Sequence, residues 1–314
     1  TLSQFERLIP PLKLRPFSLA ELALTLEDIL KKMSKSLLPS QIGPFTFRWG
    51  ERTYLMGILN LSPDSFSGDG LSNFDDALGY ACLMHERGAD IIDIGAESIR
   101  PGATPIEEEE EIKRLLPVLK ELKRDLDCPL SVDTSKWKVA ERAIENGADL
   151  INDVWGLKRD KRMAEVISKG KVGVVIMHSL EGHGGKREDE TYKDLISDVI
   201  SSLRESINIG LKAGIEPSKI IIDPGFGFGK EVEENLALLK NLSEFKVLGF
   251  PILVGTSRKS FIGKVLDLPV DERIEGTSAT IALAIREGAD MVRVHDVREM
   301  KRVLKMTDAI MRGS

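Results

Sequence analysis

Polar and charged residues follow the short apolar segments of this 314-residue chain at regular intervals. Carboxylates and amides of this kind form hydrogen bonds with polar ligands, and cationic side chains suit anions. A single such residue is usually a loop starter or a helix cap, but a whole series predicts a shared polar pocket. The series consists of Asn60, Asp93 with Glu97, Asp133, Asn152, His178, Asp223, Arg258 with Lys259, and Arg293 with His295.

The apolar segments before these residues have the length and the β-branched content of buried strands, and helical periodicity fills the stretches between them. About eight strand–helix units are what a closed (β/α)8 TIM barrel requires, and its active site lies at the carboxyl ends of the strands. The predicted strands are Tyr54–Leu59, Ile91–Ile94, Leu130–Val132, Leu150–Ile151, Val172–Met177, Ile220–Ile222, Pro251–Val254 and Met291–Val294.

Three connections share one pattern, "RGADIID", "NGADLIND" and "EGADMVRVHD". In each, glycine ends a helix in a left-handed conformation and an apolar strand follows shortly after. Repeated helix-to-strand connections of this kind are typical of parallel β/α units.

The N-terminal region does not follow this repeat. We predict an amphipathic helix with Ser18 as its N-cap and Glu21 completing a capping box. The alternating stretch "FTFRWGERTYL" predicts a hairpin that turns at Trp49 and Gly50 and covers the bottom of the barrel. These patterns divide the chain into an N-terminal helical extension, residues 1–45, and a barrel, residues 46–314.

The amino-acid composition of the chain argues against some classes of binding partner. The chain is 42% hydrophobic and 30% charged with a formal net charge of −6, which argues against nucleic acid. No apolar run has the length of a membrane span, and no signal-peptide core is present, so we expect a cytoplasmic protein without a membrane partner. Cys82 and Cys128 have neither metal-ligand nor disulfide-framework spacing.

An ordered set of motifs resembles dihydropteroate synthases over roughly residues 45–310. The motifs are "GILNLSPDSFSGDG", "DIGAESIRPGA", "SVDTSK", "INDVWG", "IIDPGFGFGK", "VGTSRKSFIG" and "RVHDV". The resemblance implies an enzyme that joins 6-hydroxymethyl-7,8-dihydropterin pyrophosphate to p-aminobenzoate, releasing pyrophosphate. It further implies small-molecule substrates, a Mg²⁺ cofactor and a homodimer.

The resemblance also assigns site residues. Those implied to be catalytic are Asp133, Lys259, Arg293 and His295. Those implied to bind the pterin are Asp133, Asn152, Met177, Asp223, Phe228 and Lys259. Those implied to bind pyrophosphate are Asn60, Arg100, Arg293 and His295, with Asn60 also on the metal. Those implied to form the p-aminobenzoate pocket are Phe66, Pro101 and Ser260.

The chemistry of these residue types agrees with those roles. Arg293 and His295 alternate on one strand, so their side chains point the same way, and paired cations suit a leaving pyrophosphate. Asp296 is the candidate that orients His295. A Schiff-base role for Lys259 is the rival chemistry, but its polar surroundings do not favour it.

Two loops depart from the family pattern. Ile99 stands where the family has threonine, and Asp69 is displaced by one position. The resemblance implies that these loops contact the arylamine and the phosphates, so the departures bear on arylamine specificity and not on pterin binding. The alternative functions are a non-catalytic pterin-binding homologue and a pterin-dependent methyltransferase module.

Overall fold

A computed structural model of the chain describes residues 9–13, 19–34, 37–61, 74–97, 104–180 and 192–313. Eight parallel strands follow one another around a sheet, and a bridge between Ile222 and Ile252 joins its two ends. The predicted (β/α)8 barrel is confirmed. The strands after an N-terminal hairpin are β3 Tyr54–Asn60, β4 Ile91–Gly95, β5 Leu130–Asp133, β6 Leu150–Asp153, β7 Gly173–Met177, β8 Ile220–Asp223, β9 Leu253–Val254 and β10 Met291–Val294.

The observed strands match the predicted ones to within a residue or two. β6 extends two residues beyond its prediction, to Asp153, and β9 contains only Leu253 and Val254 of the predicted Pro251–Val254. Pro251 has no amide hydrogen to donate to a ladder, although its carbonyl accepts from the amide of Ile222 at 2.9 Å.

Helices surround the strands on the outside of the barrel. They are α1 Leu19–Ser34, α2 Phe74–Glu86, α3 Glu108–Asp125, α4 Trp137–Glu145, α5 Lys161–Gly170, α6 Leu195–Lys212, α7 Val232–Lys240, α8 Ser260–Leu266, α9 Ile274–Arg286 and α10 Val297–Arg312. Short 3₁₀ turns cover Pro217–Lys219, Leu242–Leu248 and Val270–Glu272. In the described parts of the chain, no helix has both the length and the hydropathy that crossing a membrane requires.

Alternation along the strands creates two separate apolar layers. Leu150 belongs to a cluster inside the barrel, whereas its neighbour Ile151 belongs to the cluster between strands and helices. Because side chains alternate along a strand, residues two positions beyond the interior layer also point inward. That interior layer includes Ile91, Leu150, Val175, Ile221, Leu253 and Met291.

The hairpin is present, but its predicted position is wrong. Its strands are β1 Ser40–Ile42 and β2 Phe45–Phe47, joined by a two-residue turn in which Gly43 has φ +56°. Trp49 and Gly50 instead form a turn that leads into β3, which pairs in parallel with β10. Gly43 supplies the positive φ that tight hairpins favour. This turn, and not the alternation of apolar and polar residues, determines where the chain reverses.

Aromatic residues from this region pack beneath the barrel, as expected. Phe47 and Trp49 contact Tyr54 at the start of β3, with ring centroids 4.7 and 5.3 Å away. All three belong to the interior cluster. Ser18, the predicted N-cap, lies outside the described residues, and the boundary at residues 45 and 46 stays a prediction.

One glycine after β8 is sterically required, which predicts a large stability difference between two glycine substitutions. Gly225 has φ +74°, and an added Cβ would lie 1.8 Å from the carbonyl oxygen of His178. We expect Gly225→Ala to lower the free energy of unfolding by more than about 3 kcal/mol, measured by urea denaturation. Gly79→Ala is the control, because Gly79 lies in α2 with open space around it and should gain about 0.5–1 kcal/mol. Equal effects at the two sites would contradict the steric requirement.

Candidate active site

The carboxyl ends of the strands bring polar side chains together above the apolar interior. Asp93, Asn152, Asp223 and Arg293 each lie two residues after a member of the interior layer. Asp133 lies two residues after Ser131, which pairs with the interior residue Leu150 in the β5–β6 register. Arg293 is half-buried and the other polar residues of this set are buried. The predicted polar rim is therefore a set of inward-facing groups at one end of the barrel.

Arg293 is the centre of this set. Its Nε donates to Asp93 Oδ2 at 2.6 Å, and its Nη2 donates to Asp133 Oδ2 at 2.8 Å. Asn152 Nδ2 also donates to Asp93 Oδ2, at 3.1 Å. One guanidinium thus connects β10, β4 and β5, and Asp93 links it to β6.

Burial leaves Asp133 in an unusual electrostatic state. Burial raises the pKa of Asp133 to about 7, with Arg293 acting in the opposite direction and the Asp93 carboxylate adding to the rise. A carboxyl with a pKa in this range changes its charge near neutral pH.

Asp223 and Lys259 occupy another part of the rim. Asp223 Oδ1 accepts from the Gly225 amide at 2.7 Å, and burial raises the pKa of Asp223 to about 6 against the pull of Lys259. Lys259 Nζ lies 4.1 Å from the centroid of the Phe228 ring. An aromatic face and an ammonium beside a carboxylate suit a flat heterocycle that carries both donors and acceptors.

His295 is held by a serine rather than by the predicted aspartate. Its Nδ1 lies 3.0 Å from Ser257 Oγ, which also accepts from the His295 backbone amide at 3.2 Å. The expected partner Asp296 forms two hydrogen bonds with Arg258 instead, at 3.0 and 2.5 Å. The Asp296 prediction is wrong because a bidentate guanidinium competes better for that carboxylate.

The expectation that His295 is a cation also needs correction. Burial lowers the pKa of His295 well below its usual value, and the nearby charges of Arg293, Arg258 and Lys259 lower it further. The ring is therefore neutral at physiological pH, and it supplies an N–H dipole rather than a charge.

A buried ion cluster joins the described segments on either side of residues 98–103. Lys136 Nζ contacts Glu97 Oε1 at 2.8 Å, Glu111 Oε2 at 2.6 Å and the Ile106 carbonyl at 2.8 Å. Glu111 belongs to the acidic run that opens α3, and it is buried rather than a solvated helix-end charge. This cluster ties Glu97 and Ile106 to the segment after Asp133.

The other predicted residues within the described chain have simpler surroundings. Asn60 ends β3 and is half-buried, Met177 is buried beside Asp223 in the β7–β8 register, and Ser260 is exposed at the start of α8. Three predicted site residues, Phe66, Arg100 and Pro101, lie outside the described residues, as do the two positions that depart from the family pattern, Asp69 and Ile99.

The sequence pattern places Asp93 on the rim but assigns it no role, and it gives no indication of Ser257. The inward position of Asp93, two residues after Ile91, was the available signal. Asp93 binds Arg293 and Asn152 because of the order of the strands around the barrel, and the local spacing of residues in the sequence does not reveal that order.

Comparisons with known proteins agree on one family. Residues 56–295 match the model of the pterin binding enzyme family. A dihydropteroate synthase of Clostridium beijerinckii is 53% identical over 274 residues, covering 87% of this chain and 99% of that protein. The dihydropteroate synthase of Bacillus subtilis is 47% identical over 269 residues, covering 85% of this chain and 92% of its own length.

A solved structure gives the same result. The crystal structure of a dihydropteroate synthase from Clostridium difficile, determined in the presence of pteroic acid, superimposes with a TM-score of 0.79. It is 49% identical and covers 85% of this chain and 99% of that one.

His178 and His295 should not titrate in the folded protein. His178 bonds Ser202 Oγ at 2.9 Å and Tyr192 Oη at 3.0 Å, and burial lowers its pKa to about 2. We expect the imidazole signals of His178 and His295, assigned with single His→Asn variants, to stay at neutral positions in NMR spectra from about pH 8 to 5. In urea the same signals should titrate near pH 6.5. A folded-state midpoint between about pH 6 and 7 for His295 would contradict the neutral assignment.

Proposed function

The chain belongs to the dihydropteroate synthase family of pterin-binding enzymes, and from that premise we propose how its strand-end side chains perform the condensation. The reaction joins 6-hydroxymethyl-7,8-dihydropterin pyrophosphate to p-aminobenzoate and releases pyrophosphate. The observation that carries the proposal is the cluster of Arg293 with Asp93 and Asp133, because its net negative charge is opposite to that of the cationic reaction intermediate described below.

Pterin recognition uses the buried polar groups of the rim. Asp223 and Asn152 offer oxygen acceptors to the amino and ring N–H groups of the pterin, and Lys259 donates to its acceptor atoms. Met177 and Phe228 supply apolar contact with the ring faces. Such a fixed set discriminates strongly, because a heterocycle that lacks one partner leaves a buried polar group unpaired.

The diphosphate binds toward the Asn60 side of the rim, where Mg²⁺ would be held by the Asn60 amide oxygen, substrate oxygens and water. An oxygen donor fits this hard cation, which keeps much of its hydration. Gly95 on the neighbouring strand leaves space beside the Asn60 amide oxygen, because a Cβ added at Gly95 would still lie 3.7 Å from Asn60 Oδ1. When bound, the ion would neutralise charge on the leaving group.

Arg293 and His295 act on the same leaving group in different ways. Arg293 is already paired with two carboxylates, so it offers the diphosphate a positioned donor more than a free positive charge. His295 adds a neutral N–H donor whose ring is oriented by Ser257. The proposed contribution of Arg100 lies outside the described residues and stays a prediction.

Chemistry proceeds by ionisation before attack. The bond between the pterin methylene carbon and the bridging oxygen breaks, and the electron pair leaves with pyrophosphate. The cationic methylene that remains is stabilised by the electron-rich pterin and by the Asp133 carboxylate. The neutral arylamine nitrogen then bonds to the carbon and loses a proton to solvent, so no strong base is required.

The charge of the cluster supports this order of events. When Asp133 is ionised, one guanidinium faces two carboxylates, and the cluster has one net negative charge. When Asp133 is protonated, the cluster is neutral. The ionised form therefore stabilises a cationic intermediate and the protonated form does not.

The reaction itself is tested by pyrophosphate release from the pterin substrate with Mg²⁺, with and without p-aminobenzoate. We expect release that depends on p-aminobenzoate and yields 7,8-dihydropteroate. A methyltransferase module would release no pyrophosphate, and a non-catalytic homologue would bind the pterin without turnover. Either result would contradict the proposal. Omission of Mg²⁺ tests the metal, and an unchanged rate in the presence of a chelator would exclude its role.

The pH dependence of catalysis should report Asp133. Because its pKa is raised to about 7 and the ionised form is active, kcat/KM should rise with pH through an apparent pKa near 7 and then level. Asp133→Asn should remove this acidic limb and lower kcat by about 100-fold or more. Near-full turnover of Asp133→Asn with unchanged pterin binding would disprove the charge-stabilising role.

We also propose a cytoplasmic homodimer. The last helix supports the dimer, since Met306 and Ile310 lie four residues apart and are 63% and 68% exposed. Sedimentation should give twice the 34.8 kDa of one chain, and Ile310→Glu should shift the mass to the monomer. Leu236→Glu, at a 43% exposed position on α7, is the control and should leave the dimer intact. A monomeric parent protein would contradict this proposal.

A further inference from the structure

Asp93 is fully buried in the middle of β4, and it uses one oxygen for two separate partners. Oδ2 accepts from Arg293 Nε and from Asn152 Nδ2, at 2.6 and 3.1 Å. Its side chain has no exposed surface. Asp93 therefore acts on bound molecules only through the residues that it holds.

The bond to Asn152 fixes which end of that amide faces Asp93. A carboxylate beside a guanidinium accepts hydrogen bonds and has none to donate. If the Asn152 amide turned over, its oxygen would face a carboxylate oxygen, and a buried hydrogen bond would be lost. The NH₂ group must therefore lie toward Asp93, which leaves Oδ1 directed away from it.

We infer that Asp93 is a specificity-determining positioning residue, which selects a substrate edge that donates hydrogen bonds by locking the Asn152 oxygen toward the pocket. This inference rests on the proposed function. A pterin edge that presents N–H groups fits an oxygen at this position, whereas an edge that presents only acceptors would face an acceptor there. Specificity at Asn152 is thus set by a residue that the substrate does not touch.

The Asp93 carboxylate also restrains Arg293, so its effect on Asn152 must be separated from its effect on Arg293. Arg293 keeps a second partner in Asp133, at 2.8 Å, when Asp93 is changed. Asn152 has no other side-chain partner in the described part of the chain. Loss of the acceptor at Asp93 should therefore disturb pterin recognition more than it disturbs the position of Arg293.

Two substitutions at position 93 test the inference. Asp93→Leu has a similar volume but removes every acceptor from the position that fixes Asn152. Asp93→Asn keeps an amide oxygen, and because Arg293 Nε and Asn152 Nδ2 both donate to the same atom, that oxygen takes the place of Asp93 Oδ2. The Asn152 oxygen should therefore stay directed to the pocket in Asp93→Asn but not in Asp93→Leu.

We expect Asp93→Leu to raise the KM for the pterin substrate at least tenfold while the KM for p-aminobenzoate changes less than threefold. Asp93→Asn should keep the pterin KM within threefold of the parental value. An unchanged pterin KM for Asp93→Leu would overturn the inference, as would a rise for Asp93→Asn as large as that for Asp93→Leu. If Asp93→Leu does not fold, Asp93→Ala must show the same tenfold rise.

Ser131→Ala is the matched control. Ser131 pairs with Asp93 in the β4–β5 register, is equally buried, and its Oγ has no hydrogen-bond partner in the described part of the chain. It should keep the parental KM, and a tenfold rise would show that any change beside Asp93 disturbs the site, which overturns the inference. A parental protein without p-aminobenzoate-dependent pyrophosphate release would instead refute the proposed function, so the two failures are distinguishable.

Discussion

A guanidinium held between two buried carboxylates organises the mouth of this barrel. Removing a charge from water costs several kcal/mol, and the cost is offset only if good partners replace the water. Arg293 obtains them from Asp93 and Asp133, on strands that lie on the other side of β3. The arrangement therefore stabilises the site only as a unit, and losing one member would leave another buried charge without compensation.

The apolar interior and the polar site come from the same alternation along each strand. Ile91 and Met291 contribute to the interior layer, and the residues two positions later are Asp93 and Arg293. A shift of one residue in the register of β4 or β10 would turn these charges toward the helices and bury them without partners. Packing of the interior thus fixes the register, and the register places the charges that perform chemistry.

Much of this architecture is predictable from local sequence, and the exceptions have physical reasons. Short β-branched segments ending in Asp133, Asn152 and Asp223 predicted both the strands and the rim, because parallel strands all end at the same face. The hairpin was misplaced because alternation in "FTFRWGERTYL" does not identify the partner strand, which the turn at Gly43 determines. Partners of His295 and Asp93 were missed because neighbours across a barrel are distant in sequence. The arylamine pocket, with Phe66 and Pro101, stays a prediction.

In the proposed mechanism, the cluster of Arg293, Asp93 and Asp133 stabilises a cationic pterin methylene after pyrophosphate has left. The most direct measurement uses pterin substrate with ¹⁸O in the bridging position, incubated with enzyme and Mg²⁺ but without an arylamine. If the carbon–oxygen bond breaks and re-forms, recovered substrate should have the label scrambled into non-bridging phosphate oxygens, and Asp133→Asn should scramble it far more slowly. A label that stays in the bridge, in an enzyme that is active once p-aminobenzoate is added, would show that the amine attacks before pyrophosphate leaves and would contradict the ionisation mechanism.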